Sequence, residues 1–522
     1  NERSMIGVLR EQVKAKSMQI PYRYLEKIKI NQHQSRLTQK AADSARCLLV
    51  LLPERPGAAD WQRLPHGATL KARLQRARRS NPKATQLVTD LPNSAGTHVI
   101  LQCLDPAASS FEQLVQAREL AARVRAANPT GLLVQVAGLK GAAARRATEH
   151  LLAGLLAAVC PMPDFKSKAD KPAALTRIDL YGPETPLDPE PLRAELMGNH
   201  LARWLSALPA NTLTPAAYRR AVAGIAKTEG WQMEFLDTRA LARRKAGAFL
   251  AVCQASPAKD AGIVHLKYRP KGRGGKRLAL VGKGICFDTG GVNVKPAKYM
   301  NGMHEDMQGS AVALGTLLAL SRMQVDYPVD CWLALAENHV GSRAYKPNDV
   351  VTACNGTTIE VKHTDAEGRM VLADTLALAS RSKPHTLIDY ATLTGACVYS
   401  LSSRYSGVFS NREAMTGTLI EAGRDSGERV WPFPLDKDFD ETLKSGIADT
   451  LQCSLEGEAD HILASRFLSR FVGKDIDWVH VDLAASNRSG GLGHIPTDTT
   501  GFGIRFTLNL LQRQQLMETS WN

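Results

Sequence analysis

The chain has 522 residues, 44% of them hydrophobic and 22% charged, with a formal net charge of +15. That length suits two to four domains of roughly 100–200 residues, and the longest apolar stretches, such as Leu151–Val159, fall short of a membrane helix, so no membrane span is expected. Nine cysteines, odd in number and without a Cys-x-x-Cys spacing, several in apolar runs such as that around Cys331, read as reduced, buried thiols. A soluble intracellular protein of the cytoplasm or the mitochondrial matrix is the expectation.

The charge is uneven. Residues 1–150 hold 24 Lys+Arg against 11 Asp+Glu, a net of +13, whereas the remainder holds 42 against 40. A basic N-terminal region suits nucleic acid, an acidic partner or a solvated surface. Lys71, Arg73, Arg76, Arg78 and Arg79 lie close together, but helical spacing spreads them around an axis.

Residues 1–40 read as a basic extension with a helical patch over Met5–Lys16. The apolar runs CLLVLLP from Cys47, THVILQCL from Thr97 and GLLVQVAG from Gly131 predict buried strands. Helical stretches over Thr69–Ala77, Phe111–Ala127 and Ala142–Ala158 alternate with them, so residues 41–175 read as a small α/β domain. A linker strand is expected within 176–190, after the Pro- and Lys-rich segment 161–172. The larger domain is placed at 191–522. It opens on a helix over Pro191–Leu208, and Thr214-Pro215 gives the next helix an N-cap and a proline at its first position. A strand over Lys276–Val281, a glycine-rich turn over Gly282–Gly291 and a helix over Asp306–Arg322 follow. Then come a strand over Val329–Glu337, a hairpin at Asn355-Gly356, a helix over Met370–Ser380 and a strand over Thr386–Tyr390. The fold class is therefore α/β: a small N-terminal α/β domain and a larger C-terminal α/β domain around a mainly parallel sheet, with sites at the carboxyl ends of its strands.

Two charged clusters break the apolar pattern. VGKGICFDTGGVNVKPAKYMNGMHEDMQGSA holds Lys283, Asp288, Lys295 and Asp306, and HTDAEGR holds Asp365, Glu367 and Arg369. Charges flanked by strand-like runs must be paired or bind metal. Asp365 and Glu367, two apart, would share one side of an extended segment. Four converging carboxylates would repel one another unless cations intervene. Pairing with Lys283, Lys295 and Arg369 is the competing account, and spacing alone leaves both open. The thirteen histidines are dispersed with no His-Glu-x-x-His, and Gly282, Gly284, Gly290 and Gly291 match neither a P-loop nor a dinucleotide fingerprint.

These segments resemble the cytosolic leucyl aminopeptidase family, a group of dizinc peptidases. HTDAEGR is similar to that family's NTDAEGR signature, and the likeness, extending over roughly 190–515, includes VGKGICFDTGG, ATLTGA at 391–396, WVHVDLA at 478–484 and TGFGIR at 500–505. The resemblance implies two divalent ions per chain, zinc or manganese with magnesium as a further candidate. Asp288 and Glu367 would bridge them, Asp365 would complete one site, and Lys283 and Asp306 the other. It implies that Lys295 stabilises the oxyanion and that Arg369 holds a bicarbonate acting as general base for a metal-bridging water, which becomes the hydroxide nucleophile. It further implies that Met303, Thr392, Gly395 and Ala484 line an apolar pocket for leucine or a similar N-terminal residue of the peptide substrate, and that the chain forms a homohexamer. His363, Gln308, Ser310 and the DLAA run depart from the family pattern without removing a ligand. A nucleic-acid-binding or scaffold protein of the same family, with peptidase activity secondary, is the alternative.

Overall fold

The computed structural model describes residues 20–182, 186–271, 275–519 and 521, so the helical patch expected over Met5–Lys16 lies outside the described residues. The chain divides into two compact units, one built from Tyr22–Met197 with Gly490–Asp498, the other chiefly from Gly198–Ser489 with Thr499–Asn522. Each carries its own sheet. No described helix is long and apolar enough to cross a membrane.

Among its described residues the smaller unit holds six strands: β1 (Lys29–His33), β2 (Cys47–Pro53), β3 (Gln86–Asp90), β4 (His98–Leu104), β5 (Gly131–Val136) and β6 (Arg177–Tyr181). Their order is β1-β6-β5-β2-β4-β3, parallel except for the β3–β4 edge. The expected division at 41, 176 and 191 is corrected here. Part of the supposed extension, Lys29–His33, is an edge strand paired in parallel with β6, and β6 itself is an inner strand between β1 and β5. β1 escaped the sequence reading because it is a polar edge: KINQH has no buried side chain. It is held by backbone pairing and by Asp179, whose Oδ1 accepts from Asn31 at 2.9 Å.

The larger unit is built on an eight-stranded sheet. Its strands are β7 (Gln232–Asp237), β8 (Gly262–Tyr268), β9 (Leu278–Asp288) and β10 (Val329–Asn338), then, past a small three-stranded sheet of β11 (Val350–Thr352), β12 (Thr358–Glu360) and β16 (Thr450–Leu451), the strands β13 (Thr386–Ala391), β14 (Ser406–Ser410), β15 (Val430–Pro432) and β17 (Asp477–Asp482). The order is β15-β14-β17-β13-β9-β10-β8-β7, with β17, β13, β9 and β10 mutually parallel and antiparallel pairings on either side of these four. β9 is the first of the four in sequence. The chain then goes to one side for β10 and to the other for β13 and β17, so the order reverses at β9, where open α/β sheets form their crevices.

β9 explains its own length. The glycine-rich turn expected to begin at Gly282 begins only after Asp288. Gly282 lies in the strand because the helix Gln308–Arg322 packs so close that a Cβ there would stand 2.4 Å from the Ser310 Cα. Alternate residues Ala279, Val281 and Ile285 turn to the other face, into a core shared with Met370, Val371 and Leu372 of the helix Glu367–Ser380. Lys283 sits on that second face, within an otherwise apolar strand.

Candidate active site

The pairing of β9 with β13 ends at Gly282–Tyr390, while β9 remains paired with β10 as far as Asp288–Asn338. The strands part at their carboxyl ends, and the charged residues lie in that gap. Lys283 Nζ is 2.8 Å from Asp306 Oδ1 and 2.9 Å from Glu367 Oε1, and donates to the Thr392 carbonyl at 2.9 Å. Lys295 Nζ is 2.8 Å from Asp288 Oδ2 and 2.5 Å from Asp365 Oδ1. Two segments whose nearest clustered charges, Asp306 and Asp365, lie 59 residues apart in the chain thus form one cluster. All but Asp365 and Lys295 are nearly enclosed.

Local structure sets each group. Asp288 ends β9, and its Oδ1 accepts from the Gly290 N–H and the Asn338 amide, both at 2.8 Å. Asp365 and Glu367 do not share an extended segment as expected: Asp365 stands in a turn and Glu367 is the first residue of the helix Glu367–Ser380. The helix N-terminus, with its unpaired N–H groups, favours a carboxylate there. Gly368 follows because a Cβ at that position would lie 2.7 Å from the Lys283 Nζ. Asp306 follows the one-turn segment Met303–Glu305, and its Oδ1 also accepts from the Thr392 hydroxyl at 2.7 Å.

The electrostatics are crowded. Burial and then the neighbouring carboxylates push Asp365 and Glu367 up to about 7, and burial pushes Asp306 up to about 6 despite Lys283. Burial opposes the charge on Lys283 and Lys295, but the surrounding carboxylates outweigh it and raise both. Four carboxylates therefore face two ammonium groups. Asp306 Oδ2 and Glu367 Oε2 are buried with no hydrogen-bond partner among the described residues, a costly state for a carboxylate. Asp288, Asp365 and Glu367 each bring an oxygen to within 4.8 Å of the others. This hard, oxygen-rich donor set, with unused oxygens and excess negative charge, fits divalent cations. The competing account is half right: the lysines do pair with the acids, but they cannot balance them.

Arg369 stands apart from those pairings. Its Nη2 donates to Asp460 Oδ1 at 2.7 Å and its Nη1 to the Gln452 carbonyl at 3.3 Å. Of the expected pocket residues, Thr392 joins the cluster through Asp306. Met303 opens the turn before Asp306, Gly395 opens the helix Gly395–Leu401, and Ala484 follows β17. Sequence reasoning missed Asn338, Tyr345, Gln452 and Asp460. Asn338 and Tyr345 both donate to the Thr364 carbonyl, at 3.0 and 2.7 Å, and so hold the loop before Asp365. Asn338 carried a faint signal as the polar end of an apolar strand.

Comparison with known proteins agrees with this geometry. The model of the "Cytosol aminopeptidase family, catalytic domain" matches residues 200–508. The chain is 36% identical over 471 residues to a "Probable cytosol aminopeptidase" of Parasynechococcus marenigrum, covering 88% of this chain and 94% of that protein. It is 40% identical over 348 residues to another of that name from Synechococcus sp., covering 66% and 70%. A solved structure of a tomato leucine aminopeptidase mutant superposes with a TM-score of 0.81 at 26% identity, covering 93% of this chain and 96% of that one. The chain belongs to the cytosol aminopeptidase family and is a metal-dependent aminopeptidase.

Proposed function

We propose that the chain is a two-metal aminopeptidase releasing leucine and other apolar residues from peptide N-termini. The observation that carries this reading is the unbalanced cluster: four carboxylates, two ammonium groups and two buried oxygens without hydrogen-bond partners among the described residues. Asp288 and Glu367 would be shared by two ions, with Asp365 serving one and Lys283 and Asp306 the other. Zinc, manganese or magnesium bound there supplies Lewis acidity, a water made nucleophilic near neutral pH and a positive partner for the free α-amine.

The chain's own groups do the rest. Asp288 is held rigid by the Gly290 N–H and the Asn338 amide. As a ligand Lys283 would have to serve as a neutral amine, giving up the proton that it keeps among the bare carboxylates. Lys295 remains charged and donates to the carbonyl oxygen as that oxygen becomes negative. Met303, Thr392, Gly395 and Ala484 would receive the N-terminal side chain. Assembly as a homohexamer, in the cytoplasm or the mitochondrial matrix, belongs to the same reading, and the exposed Val398 and Tyr399 on the helix Gly395–Leu401 support association. A nucleic-acid role gains less. Arg73 and Arg78, two of the clustered basic residues, are engaged by the Asp90 and Ala84 carbonyls.

A panel of aminoacyl amides and their N-acetylated counterparts tests the reading on metal-reconstituted protein. Leucine and methionine amides should be hydrolysed with two ions bound per chain, and blocked substrates left intact. A folded, metal-loaded protein that hydrolyses none of the free-amine substrates, or that cleaves the blocked ones, would overturn it.

A further inference from the structure

Arg369 is a buried cation whose partner lies outside the carboxylate cluster. Its side chain is 3% exposed, and both terminal nitrogens are engaged, Nη2 by Asp460 and Nη1 by the Gln452 carbonyl. Its Nε is enclosed, with no partner among the described residues. A guanidinium so placed is a receptor for a single planar carboxylate-type anion. A diffusible anion would compete for a donor that Asp460 already takes.

The Asp460 side chain, 30% exposed, is much the more open member of the pair. It is the first residue of the helix Asp460–Ser469, and the residue before it, Ala459, holds the left-handed conformation at φ 50° that non-glycine residues seldom adopt. The pair is also tied to the cluster. The Gln452 side chain accepts from the backbone N–H groups of Lys362 and His363, both at 3.1 Å, and donates to the Ala366 carbonyl at 3.0 Å. One residue thus connects the Arg369–Asp460 pair to the loop that presents Asp365 and Glu367.

We infer that Asp460 is the resident anion of Arg369: the chain carries the carboxylate of that site covalently, and its peptide hydrolysis is independent of bicarbonate. The inference rests on the cluster being the catalytic centre. Asp460 is a positioning residue. It acts through Arg369, fixing the guanidinium two residues from Glu367 and filling the place of a small external anion.

The test is steady-state kinetics of the metal-loaded full chain in carbon-dioxide-free buffer, with and without sodium bicarbonate at constant ionic strength. Wild-type kcat should not respond to bicarbonate. Asp460→Ala should lose at least about tenfold in kcat without bicarbonate. It should regain most of that loss, saturably, with bicarbonate or acetate, because the shortened side chain reopens the site. Arg369→Ala should show no such rescue. A wild type activated several-fold by bicarbonate would overturn the inference even if the variants fail to fold. So would a folded Asp460→Ala protein whose loss of activity no anion repairs, or one that keeps full activity without any anion. A metal-loaded wild type with no aminopeptidase activity under either condition would instead remove the reading of the site beneath it.

Discussion

The central sheet buries two sets of charges, and they are settled differently. In the middle of the sheet Asp389 of β13 lies opposite His480 of β17 and is fully enclosed. Its Oδ1 is 2.6 Å from His480 Nδ1 and its Oδ2 accepts from the Trp478 indole at 2.6 Å. Both carboxylate oxygens are occupied, and the imidazole, whose Nε2 is buried without a partner among the described residues, also feels the charge of Asp482. At the carboxyl ends of β9 and β13, a few residues away, four acids meet two lysines, and buried oxygens have no hydrogen-bond partner among the described residues. A balanced buried pair holds strands together. An unbalanced one is kept at a cost to stability, and the remaining charge is what a ligand completes.

The largest effect that would sharpen this contrast is on stability. Asp389→Ala should cost about 3–5 kcal/mol, the penalty for stripping one partner from a buried pair, while leaving the number of bound metal ions unchanged in the protein that folds. Urea unfolding together with elemental analysis reads both. If Asp389→Ala instead lost metal, the two regions would be one system and the contrast would fail.

Lys295→Ala tests the unbalanced region through catalysis. Removing an oxyanion donor should lower kcat by about 10²–10³, or roughly 2.7–4 kcal/mol, with little change in KM and both ions retained. Lys283→Ala should behave differently and bind fewer ions. Identical behaviour of the two lysine variants, in metal content and kinetics alike, would mean that both serve only as counter-charges.

A smaller effect runs in the opposite direction to that of Asp389. Glu367→Leu should lower metal stoichiometry yet stabilise the metal-free protein by about 1 kcal/mol, because it removes one member of a self-repelling buried group. Thermal melts of chelator-treated protein check this, and a clear destabilisation would show that the metal-free cluster is already balanced.

The smallest expected effect is the share of the pH dependence that the Asp389–His480 pair adds to that of the cluster, whose acids are pushed up to about 6 and 7. Burial opposes the charge on His480, but Asp389 outweighs it and raises the imidazole above its ordinary value. Its contribution to stability is therefore complete below the unfolded value of about 6.5 and is lost as pH rises through the folded one. Urea midpoints of wild type should fall over that window more than those of Asp389→Ala; parallel curves would remove the linkage.

Much of the site was legible because charge in an apolar run needs a reason. Lys283 within LALVGKGICFD and the acids of HTDAEGR each interrupt a hydrophobic pattern, and their motifs carry the family resemblance. The local geometry was less legible. Gly282 and Gly284 read as a turn by composition, but they are strand residues made small by the helix packed against them. β1 was invisible because an edge strand need not alternate in hydrophobicity when its side chains stay in solvent.

Sequence by itself determined the chemical inventory: which acids and lysines must be accounted for, that the fold alternates strands and helices, and that no long apolar span competes for them. Those are properties of residue type and short-range period, and each is readable within a window of a few residues. Only the tertiary structure decided who pairs with whom. The parting of β9 from β13 beyond Gly282 opens the gap that the four carboxylates share. Asp460, which opens an unremarkable helix, reaches Arg369 across 91 residues of chain. Neither local propensity nor periodicity carries such a contact, because it exists only once the sheet and its two layers of helices have brought distant segments together.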